Sequence, residues 1–291
     1  MPTVSVIIPT YNRHELVREA IASVLTQSFS DFELIVVDDG SEDSTADVVQ
    51  EFPEIHYLYQ PNRGVSAARN YGVLLSTGDL IAFLDSDDLW RPQKLEQQVR
   101  FFSQRPDAQI CQTEEIWLRN GVRVNPHNKH RKADSDLFAR SLELCLVSPS
   151  AVMMRRELFA RMGGFDEDLP ACEDYDLWLR IAATLPVHLL DTPLVIKRGG
   201  HPDQLSRKFW GLDRFRVTAL CKLLKSEILS DAQRRQAEYV LHKKCIILAE
   251  GAKKRGQDGM QYLALAVAHT AMQNFCADAV KACHSERNKM E

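Results

Sequence analysis

An apolar run of strand length ends abruptly in carboxylates, and we expect chemistry at this point of the chain. Residues 80–84 are apolar and are followed by Asp85-Ser86-Asp87-Asp88. In an extended backbone successive side chains alternate faces, so Asp85 and Asp87 are predicted to point the same way. Two carboxylates at such a short distance repel each other unless they share a proton or bind a divalent cation such as Mg²⁺ or Mn²⁺, which prefers oxygen ligands. The alternative is a solvated, aspartate-rich turn.

Two further polar clusters follow apolar, β-branched runs at residues 4–8 and 32–37. The clusters are Pro9-Thr10-Tyr11-Asn12-Arg13 and Asp38-Asp39-Gly40-Ser41. Amphipathic, helix-like patterns separate the runs, and this alternation implies right-handed crossovers and a parallel sheet. Parallel strands end at one edge of a sheet, where open α/β sheets bind ligands. We therefore expect the clusters to converge on one crevice.

The remaining periodicity predicts the elements that position these clusters. Strands are predicted at residues 4–8, 32–37, 55–59, 80–84, 110–118, 122–124, 147–155 and 187–196. Helices are predicted to end near residues 27, 52, 76, 103 and 162, and another opens at Glu173. The loop at residues 125–135 is polar and basic, and we expect it to be mobile. From about residue 204 the pattern is wholly helical, with helices predicted at residues 209–229, 232–252 and 260–282.

Composition limits which classes of protein and which cellular compartments are expected. A net charge of -4 gives no reason to expect nucleic acid as a partner. No apolar run reaches the roughly 18 residues of a membrane-spanning helix, and the N-terminus lacks a signal-peptide pattern, so we expect a cytoplasmic protein. The seven cysteines are odd in number and form no Cys-x-x-Cys pair. Neither a disulfide framework nor a zinc site is therefore indicated.

Five motifs, in order, resemble those of the family 2 glycosyltransferases, which have the GT-A fold. They are Pro9-Thr10-Tyr11-Asn12-Arg13, Val37-Asp38-Asp39-Gly40-Ser41, Asn62-Arg63-Gly64-Val65-Ser66-Ala67-Ala68-Arg69-Asn70, Leu84-Asp85-Ser86-Asp87-Asp88 and Glu173-Asp174-Tyr175-Asp176-Leu177-Trp178. The resemblance implies an α/β, Rossmann-like fold with a mixed, mainly parallel sheet flanked by helices. We expect a catalytic domain at residues 1–205, divided into a nucleotide-binding half (1–105) and an acceptor half (106–205). A C-terminal α-helical region (206–291) follows.

The family's activity is then the expected one. The resemblance implies an inverting transfer of a sugar from a nucleotide sugar, most commonly a UDP-sugar, to a hydroxyl of a glycan, lipid-linked or other acceptor. The positions that match donor-binding motifs are Pro9, Tyr11, Arg13, Asp39, Arg69, Asp85 and Ser86. Tyr11 resembles the residue that stacks on the base, and Asp39 the carboxylate that accepts its N–H. Instead of binding the nucleotide, Asp39 could form an Asx turn before a helix, and Arg69 could be a charged residue on the surface of a helix.

The resemblance also assigns a cation site and a base. Asp87 would ligate Mn²⁺ or Mg²⁺ directly, Asp85 would contact the ribose or the metal, and His201 would add a ligand unless it is a solvated loop histidine. The cation would stabilise the charge that develops on the leaving diphosphate. Asp174 matches the catalytic base, which takes the proton of the acceptor hydroxyl. Alternatively, Asp174 is an acid favoured by the dipole at a helix start.

Two other functions stay open. One is a binding protein that keeps the nucleotide-sugar crevice of the GT-A fold without turnover. The other, with less support, is a haloacid-dehalogenase-type phosphatase, which also places Asp-x-Asp after an apolar strand. That family has Thr or Val where this chain has Leu89, and its motif comes near the N-terminus.

The C-terminal helical region has a basic amphipathic pattern between about residues 207 and 225. This pattern suits a helix that packs on the catalytic domain with a solvated basic rim, or one that lies on an anionic membrane surface. The second interpretation would suit a lipid-linked acceptor and peripheral association with the inner face of the membrane. The apolar faces of these helices also permit a homodimer.

Overall fold

The structure is a computed structural model that describes residues 1–125, 127–132, 136–201 and 208–268. The chain divides into two compact units, one of residues 1–210 and one that begins at Gly211. A sheet with flanking helices forms the first unit, and the described part of the second unit is helical.

The first half of the sheet is a parallel α/β arrangement. Its elements are β1 (Val4–Thr10), α1 (His14–Leu25), β2 (Phe32–Asp38), α2 (Thr45–Gln50), β3 (His56–Tyr59), α3 (Val65–Leu75) and β4 (Leu80–Phe83). The strands lie in the order β3-β2-β1-β4, and each neighbouring pair is parallel. Their carboxyl ends share one edge, which confirms the predicted convergence of the loops after β1, β2 and β4.

The second half of the sheet mixes strand directions. Its elements are β5 (Leu89–Trp90), α4 (Lys94–Gln104), β6 (Ile110–Arg119), β7 (Val122–Val124), α5 (Leu137–Glu143), β8 (Val152–Arg155), α6 (Arg156–Met162), α7 (Glu173–Thr184) and β9 (His188–Gly199). The sheet continues as β4-β8-β6-β9-β5, with β7 paired to β6. β8 is antiparallel to β4 and β6, whereas β6 and β9 are parallel. The described strands thus form one mixed sheet, which confirms the predicted fold class.

Helices cover both faces of the sheet, and the central strands are apolar on both faces for this reason. Along β4, Leu80 and Ala82 enter one core cluster together with residues of α1 and α4. Ile81 and Phe83 enter the other, together with residues of α3 and α7. The alternation follows from the two-residue period of a strand. Burying a side chain such as Phe83 stabilises the fold by roughly 1.5–3 kcal/mol.

Some sequence-based predictions need correction. The segment at residues 147–155 becomes a strand only at Val152, because it begins with a 3₁₀ turn, Pro149–Ala151, whose proline has no N–H to donate to the sheet. The short strand β5 escapes prediction because two residues carry no periodicity. In the loop at residues 125–135, Asn128–His130 form a 3₁₀ turn and Lys132 is buried. Pro126 and residues 133–135 lie outside the described residues.

A lysine is fully buried at the start of α4. The Lys94 ammonium lies 3.8 Å from the centre of the Trp90 ring and 2.6 Å from Gln98 Oε1, to which it donates. No carboxylate pairs with it among the described residues. Burial therefore lowers the pKa of Lys94 to about 7.

The second unit contains α8 (Asp213–Lys225) and α9 (Asp231–Lys254), which pack against each other, and residues 260–268 are also helical. A capping box starts α9, since Ser230 Oγ accepts from Gln233 N and the Gln233 side chain accepts from Ser230 N. The rest of the helix predicted at residues 260–282 lies outside the described residues. Within the described ranges, no helix is long and apolar enough to cross a membrane.

Candidate active site

The acidic motif forms a tight turn directly after β4. Leu84 N still donates to Ile7 O of β1, and then Asp88 N donates to Asp85 O at 2.9 Å. The predicted extended backbone through residues 85–88 is therefore wrong, because β4 ends at Phe83. Asp85 and Asp87 are oriented by the turn and its partners instead of by strand alternation.

Two arginines hold the first carboxylates of this turn. Arg69, from α3, donates to Asp85 Oδ1 at 2.7 Å through one nitrogen and to Glu173 Oε1 at 2.7 Å through another. Arg13, from the loop after β1, lies 3.1 Å from Asp87 Oδ2. The Arg69 side chain is only 4% exposed, so the alternative of a surface helix charge at Arg69 is wrong. Although burial opposes it, Asp85 and Glu173 raise the pKa of Arg69, which keeps the guanidinium charged.

The last carboxylate of the turn has a structural role that the motif does not reveal. Asp88 Oδ2 accepts from Ser150 Oγ at 2.6 Å, and Asp88 Oδ1 accepts from Arg198 N at 2.9 Å. Ser150 Oγ also accepts from Asp85 N. These contacts tie the turn to β9 and to the segment before β8. Ser86, inside the turn, is buried.

The residues at the turn fit a divalent cation. Burial, together with Asp85, raises the pKa of Asp87 against the opposing charge of Arg13. A cation would relieve that cost. His201 Nε2 is buried and has no hydrogen-bond partner among the described residues, and the imidazole is close enough to Asp87 to influence its charge. Carboxylate oxygens and an imidazole nitrogen are ligands for Mn²⁺. In the described ranges, no three His, Cys, Asp or Glu side chains are already arranged so that they could hold a metal ion.

The loops after β1 and β2 form the adjoining side of the crevice. Pro9 is buried in β1, opposite Val37 of β2, and Tyr11 is 42% exposed just beyond. Asp39 Oδ1 accepts from Gln60 Nε2 and Arg63 N at 2.6 and 2.8 Å, and Oδ2 accepts from Gly64 N at 2.8 Å. Asp39 thus anchors the loop before α3. Among the described residues Oδ2 has one partner, which leaves capacity for another donor.

Asp174 lies in the first turn of α7, beside a cysteine. Asp174 Oδ1 accepts from Tyr175 N at 2.7 Å, and Oδ2 lies 3.5 Å from Cys145 Sγ. Burial, and then Asp174, raises the pKa of the Cys145 thiol well above its usual range, so the thiol is protonated and can donate. The preceding Glu173 bonds Arg69. The start of α7 is therefore joined to the acidic turn through one guanidinium.

A lysine of β9 completes the charged groups of the site. Lys197 Nζ donates to Ser148 Oγ at 3.2 Å. Although burial opposes it, Glu115, Asp88, Asp85 and Asp174 raise the pKa of Lys197, so it is a cation among these carboxylates. Trp178, one turn beyond Asp174, is a core residue whose ring meets Phe165 edge-on at 5.9 Å.

Sequence reasoning missed several of these groups. Ser150, Arg198, Lys197 and Cys145 belong to no motif, and they reach the site only through the mixed half of the sheet. In the sequence Lys197 only follows the apolar run Leu194-Val195-Ile196, and a lysine near the end of a strand does not by itself indicate a functional site.

Comparison with known proteins places the chain in a family. Residues 5–163 match the model of glycosyl transferase family 2. The chain belongs to the family 2 glycosyltransferases.

Relatives support this membership. Uncharacterized glycosyltransferases of Rickettsia typhi and Rickettsia felis are each 33% identical, over 209 and 219 residues, or 70% and 71% of this chain. The aligned regions cover 65% and 36% of those proteins, so the chain spans less than two-thirds of their length. The Escherichia coli UDP-Glc:alpha-D-GlcNAc-diphosphoundecaprenol beta-1,3-glucosyltransferase WfgD is 32% identical over 181 residues, covering 61% of this chain and 69% of WfgD.

Solved structures share the GT-A fold. S. aureus TarS 1–349 in complex with UDP has a TM-score of 0.63 at 21% identity, covering 83% of this chain and 70% of that one. The Pyrobaculum calidifontis mannosyltransferase PcManGT, in complex with GDP-Man and Mn²⁺, has a TM-score of 0.59 at 21% identity, covering 98% and 80%. At this identity the likeness concerns the fold.

Proposed function

We propose that this protein is an inverting glycosyltransferase that moves a sugar from a UDP-sugar to a hydroxyl of a glycan or lipid-linked acceptor, with Mn²⁺ or Mg²⁺. The observation that carries the proposal is the position of Arg69, which bonds Asp85 of the acidic turn and Glu173, the neighbour of Asp174. The acidic turn, which suits the cation and the donor diphosphate, and Asp174, which suits a proton acceptor, are therefore connected through one buried guanidinium.

The donor would occupy the crevice formed by the loops after β1, β2 and β4. Tyr11, which is half exposed there, stacks on the uracil, and Asp39 accepts its ring N–H through Oδ2. Pro9, Arg13, Arg69, Asp85 and Ser86 form the rest of this pocket. The names of two similar proteins support a uridine donor, since TarS was solved with UDP and WfgD is named for UDP-Glc.

Asp87, Asp85 and His201 would hold the divalent cation. When bound, the cation supplies positive charge against the diphosphate as negative charge develops on it. His201 Nε2 is buried and has no hydrogen-bond partner among the described residues, which supports its role as the third ligand. The Mn²⁺ in the PcManGT complex supports the choice of metal.

Asp174 would serve as the base. The acceptor oxygen attacks the anomeric carbon from the face opposite the leaving diphosphate, and the bond from that carbon to the phosphate oxygen breaks as the glycosidic bond forms. The acceptor proton passes to the Asp174 carboxylate. The position of Asp174 at the start of α7 and beside Cys145 supports this role, because both contacts fix the carboxylate.

The experiment that tests the donor site is thermal unfolding with UDP, with and without Mn²⁺. UDP and Mn²⁺ at 100 times the dissociation constant should stabilise the chain by about 2.7 kcal/mol. Asp87→Ala should lose the part of the shift that needs the metal. Asp79→Ala is the matched control, since Asp79 is exposed at the opposite end of β4. If no nucleoside diphosphate shifts the wild type, the proposal fails.

The alternatives make different predictions. A non-catalytic binding protein would bind UDP and Mn²⁺ yet neither transfer nor hydrolyse any sugar across a broad donor and acceptor panel. The phosphatase alternative has lost its support, because the chain belongs to a glycosyltransferase family. Peripheral membrane association and a homodimer stay predictions, tested by vesicle co-sedimentation and by light scattering.

A further inference from the structure

One face of β6 carries features that the donor chemistry does not use. Glu115, Trp117 and Arg119 occupy every second position of the strand and therefore share a face. Lys197 is paired with Trp117 in the sheet, and its ammonium is 5.8 Å from the centre of the Trp117 ring. His130 packs on the same ring with the centroids 5.2 Å apart. We name these five residues the β6 face.

The inner end of the β6 face is balanced in charge. The Glu115 carboxylate lies 3.1 Å from the buried Lys132 ammonium and accepts from Trp117 Nε1 at 3.0 Å. Lys197 compensates the carboxylates that surround it, including Asp174. Of the three donors of its ammonium, the described residues satisfy one, through Ser148 Oγ. This end therefore suits a neutral ligand that carries oxygen acceptors.

The outer end of the β6 face is cationic. Arg119 ends β6, and Lys129 and Arg131 flank His130 along the chain, next to the Trp117 ring on which His130 packs. All three side chains are exposed, and none has an ion-pair partner among the described residues. Residues 119–132 contain no Asp or Glu, in a chain whose net charge is -4. Burial, and then the neighbouring Lys129, lowers the pKa of His130, as expected beside a group of cations. This end suits an anion.

We propose that the β6 face binds the acceptor, and that the acceptor is a sugar bearing a phosphate or diphosphate group. The proposal rests on the function proposed above. Trp117 presents an aromatic surface to the sugar ring, Lys197 donates to a sugar oxygen near Asp174, and Arg119 and Lys129 bind the phosphate. A neutral sugar would leave the outer cations without a partner. A phosphate without a sugar would make no use of the partly exposed Trp117 ring.

The hairpin supplies a matched pair of variants. Arg123 of β7 is also exposed, but it is paired with Leu118, so it lies on the opposite face from Trp117 and Arg119. Arg119→Glu and Arg123→Glu therefore make the same charge change on the two faces of one hairpin. Circular dichroism and the UDP thermal shift check that both variants are folded with an intact donor site.

The test is calorimetric binding in the presence of saturating UDP and Mn²⁺, which fill the donor site. The probes are glucose 1-phosphate and N-acetylglucosamine 1-phosphate, each compared with its methyl glycoside. We expect the wild type and Arg123→Glu to bind at least one sugar phosphate about tenfold tighter than its methyl glycoside, or about 1.4 kcal/mol. Arg119→Glu should lose this preference.

Three results would overturn the proposal. One is a wild type that binds UDP yet prefers neither sugar phosphate over its methyl glycoside, and this result would leave the proposed function standing. Another is an equal loss of preference in both variants. The third result comes from co-sedimentation with phosphatidylcholine vesicles that either contain or lack phosphatidylglycerol. If the chain binds only the anionic vesicles, if this binding needs Arg119, and if no sugar phosphate is preferred, the exposed cations bind lipid headgroups instead. Failure to bind UDP would instead refute the proposed function.

Discussion

Replacing Lys94 by methionine should remove a pH-dependent penalty from the folded state. Lys94 is fully buried between Trp90 and Gln98, and burial lowers its pKa from the ordinary 10.5 to about 7. Because the folded-state pKa lies below the unfolded value, the folded chain binds fewer protons between these two pH values. The free energy of unfolding therefore rises as the pH rises through this window.

The size of the effect follows from the two pKa values. Each pH unit within the window is worth up to about 1.4 kcal/mol. Between pH 7 and pH 9 the wild type should gain about 2 kcal/mol relative to Lys94→Met, because Lys94 is already half deprotonated at pH 7. For the compact unit of residues 1–210, that gain corresponds to an increase of roughly 4–8 °C in Tm.

The assay is thermal unfolding of the wild type and of Lys94→Met at pH 7, 8 and 9. The wild-type Tm minus the variant Tm should increase across the series. Lys208→Met, which removes an exposed lysine of the same unit, should show no such trend. A wild-type-minus-variant difference that stays constant from pH 7 to pH 9 would refute the reasoning, since it would mean that Lys94 is not a buried, uncompensated amine.

Three further predictions concern the candidate site. Asp174→Asn should leave the UDP thermal shift unchanged and lower transfer by roughly 10² to 10⁴, as expected for loss of a general base; normal turnover would discard the assignment. Arg69→Met leaves the buried Glu173 carboxylate and the partly exposed Asp85 carboxylate without their cation and should cost about 3–5 kcal/mol in urea unfolding. A variant as stable as the wild type would contradict the buried Arg69–Glu173 pair. Burial opposes ionisation of Glu115, but Lys132 lowers the pKa of Glu115 to about 2. The Glu115 carboxylate therefore contributes stability that is fully present above its ordinary pKa of 4.5 and is lost as the pH falls towards 2. Lys132→Met should therefore lose less stability than the wild type between pH 5 and pH 3, measured by urea unfolding, and parallel pH profiles would count against the pair.

Much of the parallel half of the sheet could be predicted from the sequence. The strands β1, β2 and β4 are apolar runs bounded by turn residues, and the rule that parallel strands share one ligand-binding edge placed their loops together. Hydrophobic periodicity and local turn chemistry suffice there, because each strand pairs with a neighbour in a regular parallel order. The helix that carries Asp174 was predictable for the same reason.

The contacts that hold the site together could not be predicted. Arg69 bonds Glu173 across 104 residues, and Asp88 bonds Ser150 across 62. Such pairs depend on the order of strands in the mixed half of the sheet, which no local pattern encodes. The turn at Asp85–Asp88 illustrates the consequence. Strand alternation predicts one orientation of its carboxylates, whereas the partners on distant segments impose another.

The bridge through Arg69 also limits which segments this chain could exchange with other proteins. One guanidinium joins an aspartate in the first half of the unit of residues 1–210 to a glutamate in its second half. A chimera that combines residues 1–105 of this chain with the second half of another protein would leave Arg69 short of a carboxylate unless that half brings one to the position of Glu173. The two halves are therefore expected to be exchanged successfully only together, as one module.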